Sequence, residues 1–185
     1  MKEIALYVLD IVQNSITANA SVLEIALSET AETIVFTIAD NGKGMSPELL
    51  ARVSDPFTTT RTTRKMGLGI PLLRMAVEQT GGSLTIESTE GVGTTVTARF
   101  CAGHIDCPPV GDMAGTITLL LQGAPQLELH YTCTVDGASF QLTTEEIRAQ
   151  LGPEISLAEP EIILWLREYL QEQETLLREH KGMKA

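Results

Sequence analysis

A change of hydrophobic period near residue 20 constrains the fold of this chain more than any other feature of its sequence. Over residues 2–20 the apolar positions Ile4, Tyr7, Val8 and Ile11 recur along one helical face. From Leu23 the period falls to two. Leu23, Ile25 and Leu27 alternate with less apolar neighbours, a turn follows at residues 29–32, and Ile34, Phe36 and Ile38 alternate again. That pattern predicts an antiparallel hairpin behind a helix.

A second group of elements follows, with no internal repeat. Ser46-Pro47 opens a short helix, with a hydroxyl to cap free amides and a proline in the first turn. Residues 70–79 predict a second helix, with Pro71 in its first turn and Gly81-Gly82 ending it. Leu84 and Ile86, then Val96, Ala98 and Phe100, form another hairpin around Glu90-Gly-Val-Gly93. Helix, two strands, two helices and two strands predict a two-layer α/β sandwich: a mixed, largely antiparallel sheet with helices on one face.

Residues 101–114 carry two adjacent prolines and no periodicity, so they read as a connector between a domain of residues 1–100 and a C-terminal α+β extension of residues 115–185. In the extension, residues 116–121 and 127–135 predict strands, and Asp136-Gly137 predicts a turn before a short strand at 139–142. Thr143-Thr-Glu-Glu146 has the spacing of a capping box. A long helix then runs from Pro160 to about Lys181, with an apolar stripe through Ile162, Leu166, Tyr169 and Leu176. That stripe suits an intramolecular contact or a homodimer equally well.

Charge narrows the partners. With 24 acidic and 13 basic residues the net charge is -11, which repels a phosphate backbone, so no nucleic acid is expected. No apolar run approaches the roughly 18 residues of a membrane span, and no leader is evident, so the expected setting is cytoplasmic, away from membranes. Three cysteines fit reduced thiols. Cys101, His104, Cys107, His130 and Cys133 together supply enough soft ligands for a metal, although in no common spacing.

Three short stretches carry chemistry. Asp40-Asn-Gly-Lys-Gly-Met45 follows a predicted strand, where Gly42 and Gly44 can adopt positive φ and leave the backbone open to a flat heterocycle. An ionised Asp40 is an acceptor only, so it matches the amino group of adenine and opposes the carbonyl of guanine. Met66-Gly-Leu-Gly-Ile70 opens a helix after a run rich in threonine and arginine, and residues 56–77 hold four bases (Arg61, Arg64, Lys65, Arg74) and no acid. Free amides at such a helix mouth favour phosphate. On the first helix Asp10 and Asn14 share a face; an amide oxygen suits magnesium, and a carboxylate one turn away can orient or deprotonate a water. Taken singly, each stretch is also an ordinary solvated turn or polar helix edge.

Together, in this order, they resemble the ATP-binding domain shared by histidine kinases, gyrase-type topoisomerases, heat-shock chaperone ATPases and mismatch-repair ATPases. Residues 10–21 are similar to the family's N box, residues 40–45 to its first glycine box, Asp55-Pro-Phe-Thr-Thr59 to the histidine-kinase F box, and Gly67-Leu-Gly-Ile70 to the second glycine box. Residues 81–96 resemble the segment that closes a histidine-kinase catalytic domain.

The resemblance implies ATP or ADP as ligand, with magnesium on Asn14 and the adenine amine on Asp40 in a pocket shaped by Gly42, Gly44 and Met45. It also implies phosphates enclosed by Gly67, Leu68, Gly69, Ile70 and a lid that includes Thr58, Thr59, Arg61 and Lys65. Thr95 would support Asp40 and the adenine. Asp10 takes the general-base position where hydrolysing members carry glutamate; one methylene shorter, it argues against efficient hydrolysis. No histidine-bearing dimerisation hairpin is expected ahead of the N box, and His180 reads as a solvated helix residue. The expected function is that of a stand-alone signalling kinase or ATP-gated regulator of a protein partner, with a non-catalytic nucleotide sensor or slow ATPase as the alternative.

Overall fold

Period-two burial organises the structure as the sequence pattern requires. Strand β1 (Val22–Glu29) buries Leu23, Ile25 and Leu27, and β2 (Thr33–Asp40) buries Ile34, Phe36 and Ile38. The two pair antiparallel, with Ile25 opposite Ile38 and Leu27 opposite Phe36. A computed structural model describes residues 3–54, 69–152 and 154–182. Helix α1 (Ile4–Thr17) covers the apolar face of this hairpin with Ile4, Tyr7, Val8 and Ile11. After α2 (Pro47–Ser54) and α3 (Gly69–Gln79), strands β3 (Ser83–Thr89) and β4 (Gly93–Cys101) return antiparallel, and Val96, Ala98 and Phe100 continue the buried face.

Beyond Cys101 the chain extends the same sheet. Strand β5 (Glu128–Val135) pairs in parallel with β1, and β6 (Ala138–Thr143) pairs antiparallel with β5, giving the order β3-β4-β2-β1-β5-β6. Leu129, Tyr131 and Cys133 align with Leu23, Ile25 and Leu27, so a single apolar layer crosses both halves. The other face carries small polar side chains such as Thr37 and Thr97, whose hydroxyls lie 3.3 Å apart. One covered and one open face is the economy of a largely antiparallel sheet. None of the helices among the described residues is long and apolar enough to cross a membrane.

The expected strand at 116–121 is instead helix α4 (Met113–Gly123). Met113, Ala114, Ile117, Leu120 and Leu121 are all buried, a helical spacing hidden within an almost wholly apolar stretch. Its N-cap, Asp112, accepts a hydrogen bond from Gly115 N at 2.7 Å. Helix α4 packs between α1 and α6 (Pro160–Gly182), and α6 in turn lies on β5 and β6; α5 (Thr144–Leu151) starts from its Thr143 cap.

One buried acid joins α6 to the sheet. Glu174 is 6% exposed; it accepts from Tyr131 Oη at 3.2 Å and faces Arg178 at 3.5 Å, whose guanidinium also meets Glu29 of β1. Burial raises the carboxyl above the usual glutamate range, against the opposing pull of Arg178 and Tyr131, while Asp112 adds to the rise. The folded state therefore holds a proton that the unfolded chain has already released, so this group costs stability as pH rises from about 4.3 through the folded value. Urea melts should show wild type losing ground to Glu174→Gln over that interval; a relative gain with rising pH would contradict the assignment.

Candidate functional site

The site forms where β2 ends against α1. Asp40, the last residue of β2, lies on the same face as Ile38. One carboxylate oxygen accepts from Ser15 Oγ at 2.6 Å and the other from Gly42 N at 2.9 Å. The shorter distance is that of a hydroxyl on a charged acceptor. Each oxygen retains a lone pair for a ligand.

Asn41 fastens the same turn to the residues after α1, accepting from Ser21 N and Val22 N, each at 2.9 Å, and Lys43 N donates to Ala18 O at 2.9 Å. The first glycine box is thus stitched to the helix that carries Asp10 and Asn14, both exposed on α1.

Both glycines are also needed for close packing. Gly44 does have positive φ (63°), but a Cβ there would overlap the Thr89 carbonyl, so the space is filled by the β3–β4 turn. Gly42 is not among the positive-φ glycines, which corrects the expectation of a left-handed conformation there. It is buried against Ala18, whose carbonyl oxygen would stand 2.9 Å from an added Cβ. Met45 N donates to Ser88 Oγ at 2.9 Å, and that hydroxyl also meets Gly93 O and Thr94 Oγ1, which locks the box to the second hairpin.

Register separates Thr95 from Asp40. Thr95 pairs with Ala39 and shares the open face, whereas Thr94 pairs with Asp40 and shares the covered one, because successive side chains alternate. Ser15 was missed; its signal was a small polar residue at a helix position that otherwise faces the core.

Asp10 and the second glycine box do meet. A Cβ on Gly69, at the start of α3, would stand 3.1 Å from Asp10 Oδ2, so the carboxylate rests against that helix mouth. Ile70 packs beside the core. Arg74 is directed along α3 to Glu78 at 3.9 Å. Thr58, Thr59, Arg61, Lys65, Gly67 and Leu68 lie outside the described residues.

The cysteine and histidine cluster does not assemble. Cys133 faces the core of β5 and His130 the opposite side, where its ring meets Glu128 at 3.1 Å. Burial pushes the Cys133 thiol up to about 11, keeping it protonated and a poor ligand. No group of three or more metal-binding side chains occurs among the described residues.

The stretch that holds the strand-end acceptor, the polar pair on α1 and the glycine turns falls within one family match: residues 2–104 fit the histidine kinase-, DNA gyrase B- and HSP90-like ATPases. The chain belongs to that family. Among relatives of this ATPase family it is similar to the heme sensor protein HssS of Staphylococcus saprophyticus, 33% identical over 85 residues, and to the sensor kinase CckA of Brucella abortus, 26% identical over 175 residues. These alignments cover 45% and 82% of the chain but only 18% of each relative.

A crystallised N-terminal domain of a DNA repair protein superposes with a TM-score of 0.53 at 18% identity, covering 78% of this chain and 53% of that one, which shows a shared fold. The family's ATPase domain supports ATP binding here. Helices α4 to α6 and strands β5 and β6 lie beyond the family match.

Proposed function

We propose that the chain binds Mg-ATP between α1, the turn after β2 and the start of α3, and that occupancy sets its engagement of a protein partner in signalling, as an ATP-gated regulator or a kinase. The observation that carries this reading is the Asp40 carboxylate, oriented by Ser15 and Gly42 and stitched to the helix that bears Asn14 and Asp10. Asp40 would accept the adenine amine and repel a guanine carbonyl. Oxygen donors such as the exposed Asn14 amide fit magnesium, which when bound neutralises phosphate charge. Asp10, against the mouth of α3, would orient a water or an acceptor hydroxyl. The phosphate contacts expected of Thr58, Thr59, Arg61, Lys65, Gly67 and Leu68 belong to the same proposal and rest on the sequence.

A route from this site to the C-terminal half supports the gating part. The first amides of α1 donate to it, Ile4 N to Pro109 O and Ala5 N to Val110 O, each at 2.9 Å, and Thr116 Oγ1 reaches Ala5 O at 3.4 Å. Arg167 of α6 holds the α4 cap Asp112 at 2.9 Å. A movement of α1 on nucleotide binding would thus be felt by α4 and α6. Calorimetric titration of ATP with and without magnesium tests the site: Asn14→Ala should abolish the gain due to magnesium and leave metal-free affinity nearly intact. Equal loss under both conditions would assign Asn14 a structural role instead.

A further inference from the structure

We propose that the groove between α5 and α6 docks a cationic amphipathic helix of a partner protein. The inference goes beyond the nucleotide site and stands whether or not that site binds ATP. Ile147, Gln150 and Leu151 of α5 and Ile162 and Trp165 of α6 line a depression of about 270 Å³. That is below the roughly 300–1,000 Å³ of small-molecule sites, but open and apolar enough for one or two side chains of a helix.

Trp165 is 48% exposed and stacks on Tyr169 at 5.6 Å between ring centroids; beside it Leu164 is 59% exposed. An exposed tryptophan held rigid by its neighbour is a typical anchor of a protein interface. The groove's residues recur at i and i+4 on α5 and at i and i+3 on α6, the geometry that accepts the apolar stripe of another helix.

Charge selects the occupant. Residues 145–172 hold seven acids and two bases, and both bases are engaged within the fold. Arg148 Nη2 donates to Pro125 O at 2.8 Å and Leu127 O at 2.9 Å, and Arg167 pairs with Asp112. Glu161 and Glu168 flank Trp165 one turn to either side on α6, both exposed, and Glu146 precedes Gln150 by one turn on α5. Lysines and arginines beside the apolar stripe of a partner helix would meet this rim. A second copy of the chain would present like charge to it, and an anionic membrane surface would be repelled.

Trp165 is the only tryptophan, so its emission reports the groove directly. The full chain is titrated with a synthetic peptide of leucines and lysines at helical spacing, with the same residues scrambled, and with glutamate replacing lysine. The expected result is a saturable blue shift with the first peptide alone. Affinity should weaken about tenfold or more in Glu161→Lys/Glu168→Lys, fall with added salt, and stay unchanged in Glu32→Lys, a reversal at the β1–β2 turn. Circular dichroism of the double variant checks that α6 is retained; if it is not, the salt dependence with wild-type protein decides. The proposal is overturned by absence of a shift, by equal binding of the scrambled peptide, or by equal weakening in Glu32→Lys. Concentration-dependent dimerisation that shifts Trp165 emission without peptide, or an equal shift on anionic phospholipid vesicles, overturns it too.

Discussion

Asp40→Asn should weaken ATP binding by about 1–3 kcal/mol, roughly ten- to a hundredfold, while the fold persists. Gly42 N is a fixed donor 2.9 Å from Oδ1, so the asparagine must keep its oxygen there and turn its NH2 toward Ser15, whose hydroxyl can rotate to accept. The side chain stays in place but loses its charge and half its acceptor capacity. The discrimination should fall with it: the ratio of ATP to GTP affinity drops because the carboxylate that opposed a guanine carbonyl is gone. Ser15→Ala should produce a smaller loss, about 1 kcal/mol, since it frees the carboxylate without altering its charge. Titration of both nucleotides into the three proteins checks this, and unaltered ATP affinity in Asp40→Asn would remove the pocket assignment.

Gly93→Ala should be the more damaging change to the molecule itself. Gly93 has φ of 146°, and an added Cβ would overlap the Asp40 carbonyl and stand 3.1 Å from Asn41 Cα. The positive-φ backbone costs an alanine about 1–3 kcal/mol, and displacing packed backbone adds roughly 1–3 kcal/mol more. The neighbouring Gly91 separates the two contributions, with φ of 78° and nothing within 4 Å of its added Cβ. Gly91→Ala should therefore show only the conformational part. Urea midpoints of the two variants decide the matter: if they fall equally, the close approach at Gly93 has no energetic weight. Because β4 faces Asp40 through this contact, Gly93→Ala should also impair nucleotide binding beyond its effect on stability.

The first hundred residues were readable because their signals are local. Period two in residues 23–38 and 84–100 produced both hairpins, and the capping chemistry at Ser46-Pro47 and Thr143 placed two helix starts within a residue. Helix α4 was not readable, since a segment apolar on nearly every side has no period to distinguish helix from strand; only its Asp112 cap marked it. The placement of Thr95 on the open face, away from Asp40, shows the same limit at finer grain, for one residue of register moves a side chain to the other face of the sheet.

By itself the sequence determined the order of elements over the first hundred residues, and it pointed to Asp40, the polar pair on α1 and the glycine turns between them. Each of these depends on residue chemistry and on neighbours a few positions away. Only the tertiary structure decided that β5 pairs in parallel with β1, that Ser15 orients Asp40, that Asp10 rests on Gly69, and that His130 and Cys133 part to opposite faces of β5. Those contacts join residues up to a hundred or more positions apart. They are selected by burial of one continuous apolar layer, a property of the whole chain that no local window contains.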